Sequence, residues 1–498
     1  MYIILHTYMS KPKSPPRAPK DSAPTAKPGS GPPTPSPLLH THFSAPQLLA
    51  QFRKLLPVTL LRSWLALSPK AFYLRAFTPL ITLWYCIFQR LRDHHHLSLV
   101  VEDARAGGAD RLSPRGKRLS RQLTSEATTS FSDARQRLPL ELFEKTLHHT
   151  ATQTAATVQA PPWCGLSVAL LDGTTLRLRP MGDIPQAFPP HRPGNAKKPP
   201  YWCVARGVAL FALATGVLLD SLLGPLRASE QALTALILKR SWKGWLLVAD
   251  RNFGVYSVAR ATVGAGAHLL ARLTQSRAAK LARSAGLTLA PGLDARITWR
   301  PTRHDQCPEG LTPEPIEGRL IAQRIERPGF RSITLYLFTT LLEAQTYSAQ
   351  ALVQLYGQRW QVELDLRYVK AQMDLGFLDC HSADMARKEW LAGLIAYNLI
   401  RWTMACAAAR AQVPLETLSF SRARELLVGW CLRWSARNPT IASWMLLLGR
   451  IAKARLPKRR KPRPSEPRAA RPFQKNHAEL VGSRAEARQK LAAANAKS

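Results

Sequence analysis

The segment YGQRWQVELDLRYVK contains a carboxylate, two cations and a phenol whose spacing places them together on a helix. They are Tyr356, Arg359, Glu363 and Lys370. On an α-helix at 100° per residue they fall at about 0°, −60°, −20° and −40°, so they share one narrow face. Carboxylates bind divalent cations and basic side chains bind phosphate, so this face suits a site for metal and phosphate better than a hydrophobic core.

Two aspartates follow apolar runs that predict strands: Asp172 in LLDGTTL and Asp250 in LLVADRNF. With Glu363 on a helix packed across the strand ends, the three carboxylates can hold two Mg²⁺ or Mn²⁺ ions, and such a pair suits displacement at phosphorus. Each residue alone also has an ordinary explanation: a hairpin turn at Asp172-Gly173, a strand-end cap at Asp250, and an i,i+4 pair between Glu363 and Arg367. Their joint occurrence favours a site.

The charge balance indicates a polyanionic partner. The chain has 70 Lys and Arg against 32 Asp and Glu among its 498 residues, a formal net charge of +38. Like charges at this density repel one another unless a polyanion offsets them. Nucleic acid is the first candidate partner, through neutralised phosphates, and an anionic membrane surface is the second.

Cysteine usage and hydropathy predict a soluble, cytoplasmic protein with no membrane partner. The seven cysteines form no C-x-x-C pair, which argues for a reducing compartment and against a disulfide framework or a zinc site. The apolar segment 80–88 is too short to span a bilayer, and the run around 390–409 is interrupted by Asn398 and Arg401. We predict that both are buried helices.

The pattern along the chain predicts an α/β protein with a mixed sheet flanked by helices. Strands are expected at 167–171 and 176–179, as a hairpin around Thr215-Gly216, and at 244–249 before Asp250. The expected regions are a disordered Pro-rich tail (1–44), a helical DNA-binding region (45–160), the first part of a catalytic core (161–275), a β-strand insertion (276–345), the last part of the core (346–411), C-terminal helices (412–450) and a basic, disordered tail (451–498).

The spacing of Tyr356, Arg359, Glu363 and Lys370 matches at every position the Y-R-E-K pattern of bacterial DDE transposases of the insertion-sequence-four family. The segments around Asp172 and Asp250 resemble the two aspartate segments of that family, and the resemblance covers about residues 45–410. It implies an RNase H-like core with a β-strand insertion before the glutamate. It also implies that Asp172, Asp250 and Glu363 are the catalytic metal-binding triad, and that the other three motif residues bind phosphates at the element's end.

Some members of this family cleave through a DNA hairpin and stack a flipped base on a tryptophan of the insertion. Trp299, in RITWRP, is the candidate for that role by resemblance, and packing of the small β region is its alternative. Four further basic residues are candidates for contact with the DNA backbone, with solvated surface as the alternative for each: Arg177, Arg179, Lys197 and Lys198.

The predicted function is therefore that of a DNA transposase, a bacterial, nucleoid-associated enzyme that nicks the inverted ends of its element and joins them to target DNA. Its expected partners are the double-stranded terminal repeats, the target DNA and a second copy of itself, since two ends must be paired. Two other functions stay open: a catalytically inactive DNA-binding protein of transposase descent, and an RNase H-fold nuclease.

Overall fold

The computed structural model describes residues 38–66, 76–113, 118–190, 201–325, 333–434 and 439–457, with a few isolated positions in the C-terminal tail. Most of the two tails predicted to be disordered lies outside these residues, as do Lys197 and Lys198. Residues 38–44 of the predicted N-terminal tail are described, and His40 forms a β-bridge with Gln159.

The described part of the N-terminal region is helical, as predicted. Pro57 separates the first two helices, and Thr78 is the N-cap of the third, with Pro79 as its first residue. Leu48 and Leu49, from the apolar stripe of the first helix, are buried. The helices are α1 (Ala45–Lys54), α2 (Val58–Ala66), α3 (Pro79–Leu91), α4 (Leu97–Arg105), α5 (Leu119–Gln122), α6 (Thr129–Arg137) and α7 (Leu140–Thr157).

The next part of the chain builds a mixed sheet with helices on its faces. Its strands are β1 (Ser167–Leu178), β2 (Cys203–Ala212), β3 (Leu218–Pro225), β4 (Trp245–Ala249), β5 (His268–Arg272), β6 (Asp294–Trp299), β7 (Ile316–Ile325) and β8 (Ile333–Thr339). The helices between them are α8 (Ile184–Ala187), α9 (Glu230–Ile237), α10 (Tyr256–Gly264) and α11 (Gln275–Ser284).

The strand order is β3-β2-β1-β4-β5-β8-β7-β6, and a short ninth strand, β9 (Phe377–Leu378), also pairs with β1. Strands β1, β2 and β3 are antiparallel neighbours, whereas β4 and β5 run parallel to β1. The sheet is therefore mixed, and the fold is of the predicted α/β class.

The two strands predicted around Asp172 are one continuous strand, β1. Antiparallel pairing with β2 passes straight through the predicted turn, with Asp172 opposite Ala209 and Gly173 opposite Val208. A hairpin turn at Asp172-Gly173 is therefore wrong, because ladder pairing continues on both sides of it. The sheet register, rather than a loop, sets the position of the Asp172 backbone.

The segment predicted as a β-strand insertion (276–345) contains β6, β7 and β8. They follow helix α11, which occupies part of the segment where we predicted short strands. Strand β8 pairs antiparallel with β5, so these strands continue the central sheet.

The last part of the described chain is helical, with α12 (Ala349–Tyr356), α13 (Trp360–Arg367), α14 (Ala383–Ala411), α15 (Phe420–Trp434) and α16 (Ile441–Lys453). The α-helix predicted to carry Tyr356, Arg359, Glu363 and Lys370 is not uniform, since a 3-10 turn (Gly357–Arg359) and a π-helical turn (Tyr368–Gln372) interrupt it. Helix α16 extends into the region predicted as the C-terminal tail.

Helix α14 is long and apolar enough to cross a membrane, the one such helix among the described residues, but its apolar window is entirely buried in the protein. Two of its polar residues have structural roles. Asn398 bonds both backbone groups of Leu218 at 2.9 Å and donates to Thr150 Oγ1 at 3.0 Å. Glu389 pairs with Arg90 and Arg135 of the N-terminal helices. These contacts join α14 to β3 and to the N-terminal helices.

Asp365 of α13 is 4% exposed and forms an ion pair with Arg401 of α14. The hydroxyl of Tyr397 lies 3.0 Å from Asp365 Oδ1 and 2.8 Å from the carbonyl oxygen of Gly216. Gly216 has φ +63°, and a Cβ there would lie 1.8 Å from the Arg401 guanidinium. The network therefore fixes α13 to α14 and to the β2–β3 turn.

We expect Asp365→Ala to lower the free energy of unfolding by about 3–5 kcal/mol, because it leaves Arg401 buried without a counter-charge. Urea unfolding of the full chain measures the change. The control is Glu141→Ala, which removes an exposed i,i+4 pair with Lys145 and should cost less than about 0.5 kcal/mol. A similar loss in the two variants would contradict the structural role of the Asp365–Arg401 pair.

Candidate active site

Asp172 and Asp250 lie side by side where the parallel pairing of β1 with β4 ends, although β1 itself continues to Leu178. The last paired residues of β1 and β4 are Leu171 and Ala249, and each aspartate is the next residue in its chain. Adjacent strands are about 4.8 Å apart, so the two Cα atoms are near neighbours. Parallel strands end at the same edge of the sheet, and this edge is a common place for a site in α/β folds.

The Asp172 carboxylate is largely buried, and its charge is disfavoured there. Burial raises the pKa of this carboxyl to about 6, and the nearby carboxylates of Asp250 and Glu230 add to the rise. Two partners oppose it: the backbone N–H of Gly173, which donates to Asp172 Oδ1 at 2.8 Å, and the guanidinium of Arg359. The site thus concentrates several negative charges, which Arg359 neutralises only in part.

Arg359 connects Asp172 to Glu363. Its Nη1 lies 3.5 Å from Asp172 Oδ2, and its Nη2 donates to Glu363 Oε1 at 2.6 Å. The Glu363 side chain is 62% exposed, whereas Arg359 is mostly buried. The guanidinium therefore lies between a strand carboxylate and a helix carboxylate, where it partly neutralises both.

Tyr356 lies beside this group and Lys370 lies further along. The Tyr356 phenol is largely buried, which raises its pKa, and it accepts a hydrogen bond from Arg359. Lys370 belongs to the π-helical turn. The pKa of its ammonium group is lowered, mainly by burial and to a smaller extent by the nearby charge of Arg177. The motif residues therefore divide into a carboxylate end at Glu363 and a cationic end at Lys370.

Arg177 and Arg179 lie near the far end of β1. Arg177 is exposed, and its guanidinium carbon lies 6.0 Å from the ring centroid of Trp202. Arg179 is half-exposed and pairs with Asp379 at 3.0 Å. Of the two arginines, Arg177 is the better placed to bind a phosphate together with Lys370.

Trp299 is not placed to contact DNA in this structure. It is only 5% exposed, and its ring packs 4.8 Å from Phe338 and 6.4 Å from Tyr256, centroid to centroid. These are core contacts, in line with the alternative explanation of this tryptophan. Stacking on a flipped base would require Trp299 to leave this position.

Glu230 is a fourth carboxylate of this region that the sequence pattern did not reveal. It is the first residue of α9, after the N-cap Ser229, where an acidic residue is common on helix-dipole grounds alone. A Cβ added to Gly173 would lie 2.2 Å from Glu230 Oε1, so the glycine permits the approach. Asn252 Nδ2 donates to Glu230 Oε2 at 2.5 Å, and burial raises the Glu230 pKa.

The donor chemistry of the site fits Mg²⁺ or Mn²⁺, which prefer carboxylate oxygens. In the described residues no group of three His, Cys, Asp or Glu side chains is gathered closely enough to hold a metal ion. Arg359 explains this, because its guanidinium occupies the space between Asp172 and Glu363. The carboxylates present suit a hard cation, and the Arg359 guanidinium separates Asp172 from Glu363.

Two comparisons bear on the class of this protein. Residues 163–399, a little under half of the chain, match the family model of the transposase DDE domain. Transposase InsG of insertion sequence element IS4, from Escherichia coli K12, is 25% identical over 280 residues. The match covers 56% of this chain and 61% of InsG, so this chain spans less than two thirds of that relative.

The matched residues contain Asp172, Asp250 and the motif from Tyr356 to Lys370. Over these residues the chain is similar to the transposase DDE domain, and over 280 residues it is similar to an IS4-element transposase. A cryo-EM structure of the piggyBac transposase synaptic complex with hairpin DNA has a chain that aligns over 81% of this one and 85% of its own length. Its TM-score of 0.38 and identity of 11% are too low to bear on the site.

We expect Asp172→Asn to stabilise the protein by roughly 1–3 kcal/mol at pH 7.5 because it removes a disfavoured buried charge. The carboxyl pKa is raised on folding, so the charge penalty is absent below about pH 4, develops as the pH rises towards 6 and is complete above it. The gain measured by thermal unfolding should therefore shrink at pH 4.

Asp379→Asn is the control for this prediction, since it changes a half-exposed carboxylate paired with Arg179. It should give no comparable gain at either pH. A stabilisation by Asp172→Asn that is the same at pH 4 and pH 7.5 would show that the buried charge is not its cause.

Proposed function

We propose that this protein is a DNA transposase that cuts and joins the ends of an insertion sequence by metal-dependent phosphoryl transfer. One observation carries the proposal. Asp172 and Asp250 follow the last paired residues of β1 and β4, and Arg359 contacts both Asp172 and Glu363 of the motif helix, all within the residues that match the transposase DDE domain. An RNase H-like core is the fold that we propose for this arrangement.

Asp172, Asp250 and Glu363 are the residues that would hold two Mg²⁺ or Mn²⁺ ions. Such ions activate a water or a 3′-hydroxyl and stabilise the leaving oxygen at phosphorus. Glu230 is close enough to Asp172 and Asp250 to influence both charges, and we propose it as a fourth carboxylate of the same site. The four oxygen donors come from two strands and two helices.

The protein's own cations position the DNA in this proposal. Arg359 neutralises Asp172 and Glu363 in the free protein, and it is long enough to turn to a DNA phosphate once those carboxylates are neutralised otherwise. Tyr356, which already accepts a hydrogen bond from Arg359, would steer that movement. Lys370 and Arg177 form a second phosphate-binding point further along β1.

The substrate in this proposal is the double-stranded terminal repeat of the element, followed by target DNA. The net charge of +38 supports strong, salt-dependent DNA binding. Pairing two ends requires two copies of the chain, so a homodimeric synaptic complex is part of the proposal. Cleavage through a hairpin is one route to free ends that the assay below resolves.

The test uses duplex oligonucleotides carrying the inverted repeats that flank the gene, with Mg²⁺. We expect nicking, end cleavage and strand transfer by the wild-type chain, and at least a 100-fold loss of all three in Asp172→Asn, Asp250→Asn and Glu363→Gln, because each removes a proposed metal ligand. DNA binding measured by mobility shift should change less than about threefold in these variants.

Glu309→Gln is the matched control, since Glu309 is an exposed carboxylate that pairs with Lys239. It should leave cleavage and joining unchanged. Hydrolysis without joining would favour a nuclease, DNA binding without cleavage would favour an inactive descendant, and full activity in Asp172→Asn would rule out the proposed site. Gel analysis of the cleaved strands distinguishes hairpin ends from open ends.

Glu230→Gln tests the fourth carboxylate without relying on activity. We expect about a tenfold weaker affinity for Mn²⁺ by isothermal titration calorimetry, because a nearby oxygen donor and its charge are lost. Glu309→Gln should bind Mn²⁺ as the wild type does. Unchanged Mn²⁺ affinity in Glu230→Gln, with a weakened affinity in Asp172→Asn, would exclude Glu230 from the site.

A further inference from the structure

Three aromatic side chains cluster beside the cationic end of the site. Tyr201 and Trp202 precede β2, and Phe377 begins β9. The ring centroids of Tyr201 and Trp202 are 4.8 Å apart, and those of Trp202 and Phe377 are 5.1 Å apart. Both pairs meet edge to face. We call Tyr201, Trp202 and Phe377 the aromatic platform.

The platform is accessible, in contrast to Trp299. Tyr201 is 64% exposed, the most exposed of the large hydrophobic side chains that the structure describes. Trp202 and Phe377 are partly exposed. A tyrosine on the surface is ordinary by itself. The exposed Tyr201 ring, however, packs edge to face with Trp202, which packs in the same way with Phe377, and such a cluster can serve as a stacking surface.

Basic side chains border the platform. The Arg177 guanidinium lies over the Trp202 ring, and Arg177 is directly opposite Phe377 in the β1–β9 pairing. Lys370 is close enough to Arg177 for the two charges to repel. Within the described residues, neither Arg177 nor Lys370 forms a salt bridge with a carboxylate, so two neighbouring cations lack a protein anion.

Arg177, which borders the platform, lies on the same strand as Asp172, β1. Arg177 is five residues after Asp172 on β1, which corresponds to about 17 Å. Phosphates in one strand of B-DNA advance by about 3.4 Å each along the helix axis. A DNA strand that follows β1 with its scissile phosphate at Asp172 and keeps the B-form rise would therefore reach Arg177, beside the platform, after about five nucleotides.

Aromatic rings combined with unpaired cations are the chemistry of single-strand recognition, since bases stack on the rings while phosphates meet the charges. We propose that Tyr201 and Trp202 stack on an unpaired base of the bound DNA strand, while Arg177 and Lys370 bind its phosphates. This inference rests on the proposed function for the identity of the strand, but the binding site can be tested on its own.

The test measures binding of a fluorescein-labelled dT12 oligonucleotide and of a 12-base-pair duplex to the full chain, by fluorescence anisotropy at several salt concentrations. We expect Tyr201→Ala and Trp202→Ala to weaken dT12 binding about tenfold and duplex binding less than threefold, because only unpaired bases expose a face for stacking. Tyr201→Phe and Trp202→Phe should bind both DNAs within about twofold of the wild type.

The salt dependence separates stacking from charge. The slope of log K against log salt for dT12 should stay unchanged in Tyr201→Ala but become shallower by about 0.7 in Lys370→Gln or Arg177→Gln, one neutralised phosphate each. Thermal unfolding checks that each variant is folded. Since Tyr201 is exposed, its variant should unfold at the wild-type temperature.

Equal weakening of dT12 and duplex binding in Tyr201→Ala would overturn the proposal, as would unchanged dT12 binding in both alanine variants. Asp172→Asn distinguishes failure of this inference from failure of the proposed function. It should bind dT12 as the wild type does. Normal cleavage in Asp172→Asn would contradict the proposed function but not the platform. Loss of cleavage in Asp172→Asn, together with normal dT12 binding in Tyr201→Ala and Trp202→Ala, would contradict the platform but not the proposed function.

Discussion

The buried ion pair between Asp365 and Arg401 holds the two halves of the site together. Asp365 is two residues from Glu363 on α13, and Arg401 is on α14, most of which is buried. The same guanidinium reaches the β2–β3 turn through the Gly216 carbonyl oxygen at 3.2 Å. Because a buried charge without its partner is costly, α13 cannot move far from the sheet, and Glu363 stays near Asp172.

Around that anchor, charges are sorted along β1. Carboxylates collect where β1 and β4 end their pairing, and cations collect five residues later, where β9 pairs with β1. Arg359 lies at the first position and acts as the protein's own counter-ion for Asp172 and Glu363. This arrangement stores electrostatic cost in the free protein, as the raised pKa of Asp172 shows, and a cationic ligand would relieve it.

The aromatic residues illustrate how a site can shift from its expected place. Trp299 has the right residue type and flanking arginines, yet the β6–β8 strands extend the main sheet and bury its ring against Phe338. The accessible rings are instead at Tyr201 and Trp202, which the local sequence does not distinguish from an ordinary loop before a strand. The exposure of Tyr201, and the contact of Trp202 with Arg177, give these two rings a candidate role.

The sequence by itself determined the elements and the chemistry of the motif: the helical start, the strands before Asp172 and Asp250, and the face with Arg359 and Glu363. These depend on local patterns of apolar spacing, turns and charge, which act over a few residues. Only the tertiary structure decided that β1 runs through Asp172, that Asp365 is buried, that Trp299 is in the core and that Glu230 reaches Gly173. Those outcomes depend on contacts between segments distant in the chain, such as β1 with β2 and α13 with α14, and local spacing carries no information about them.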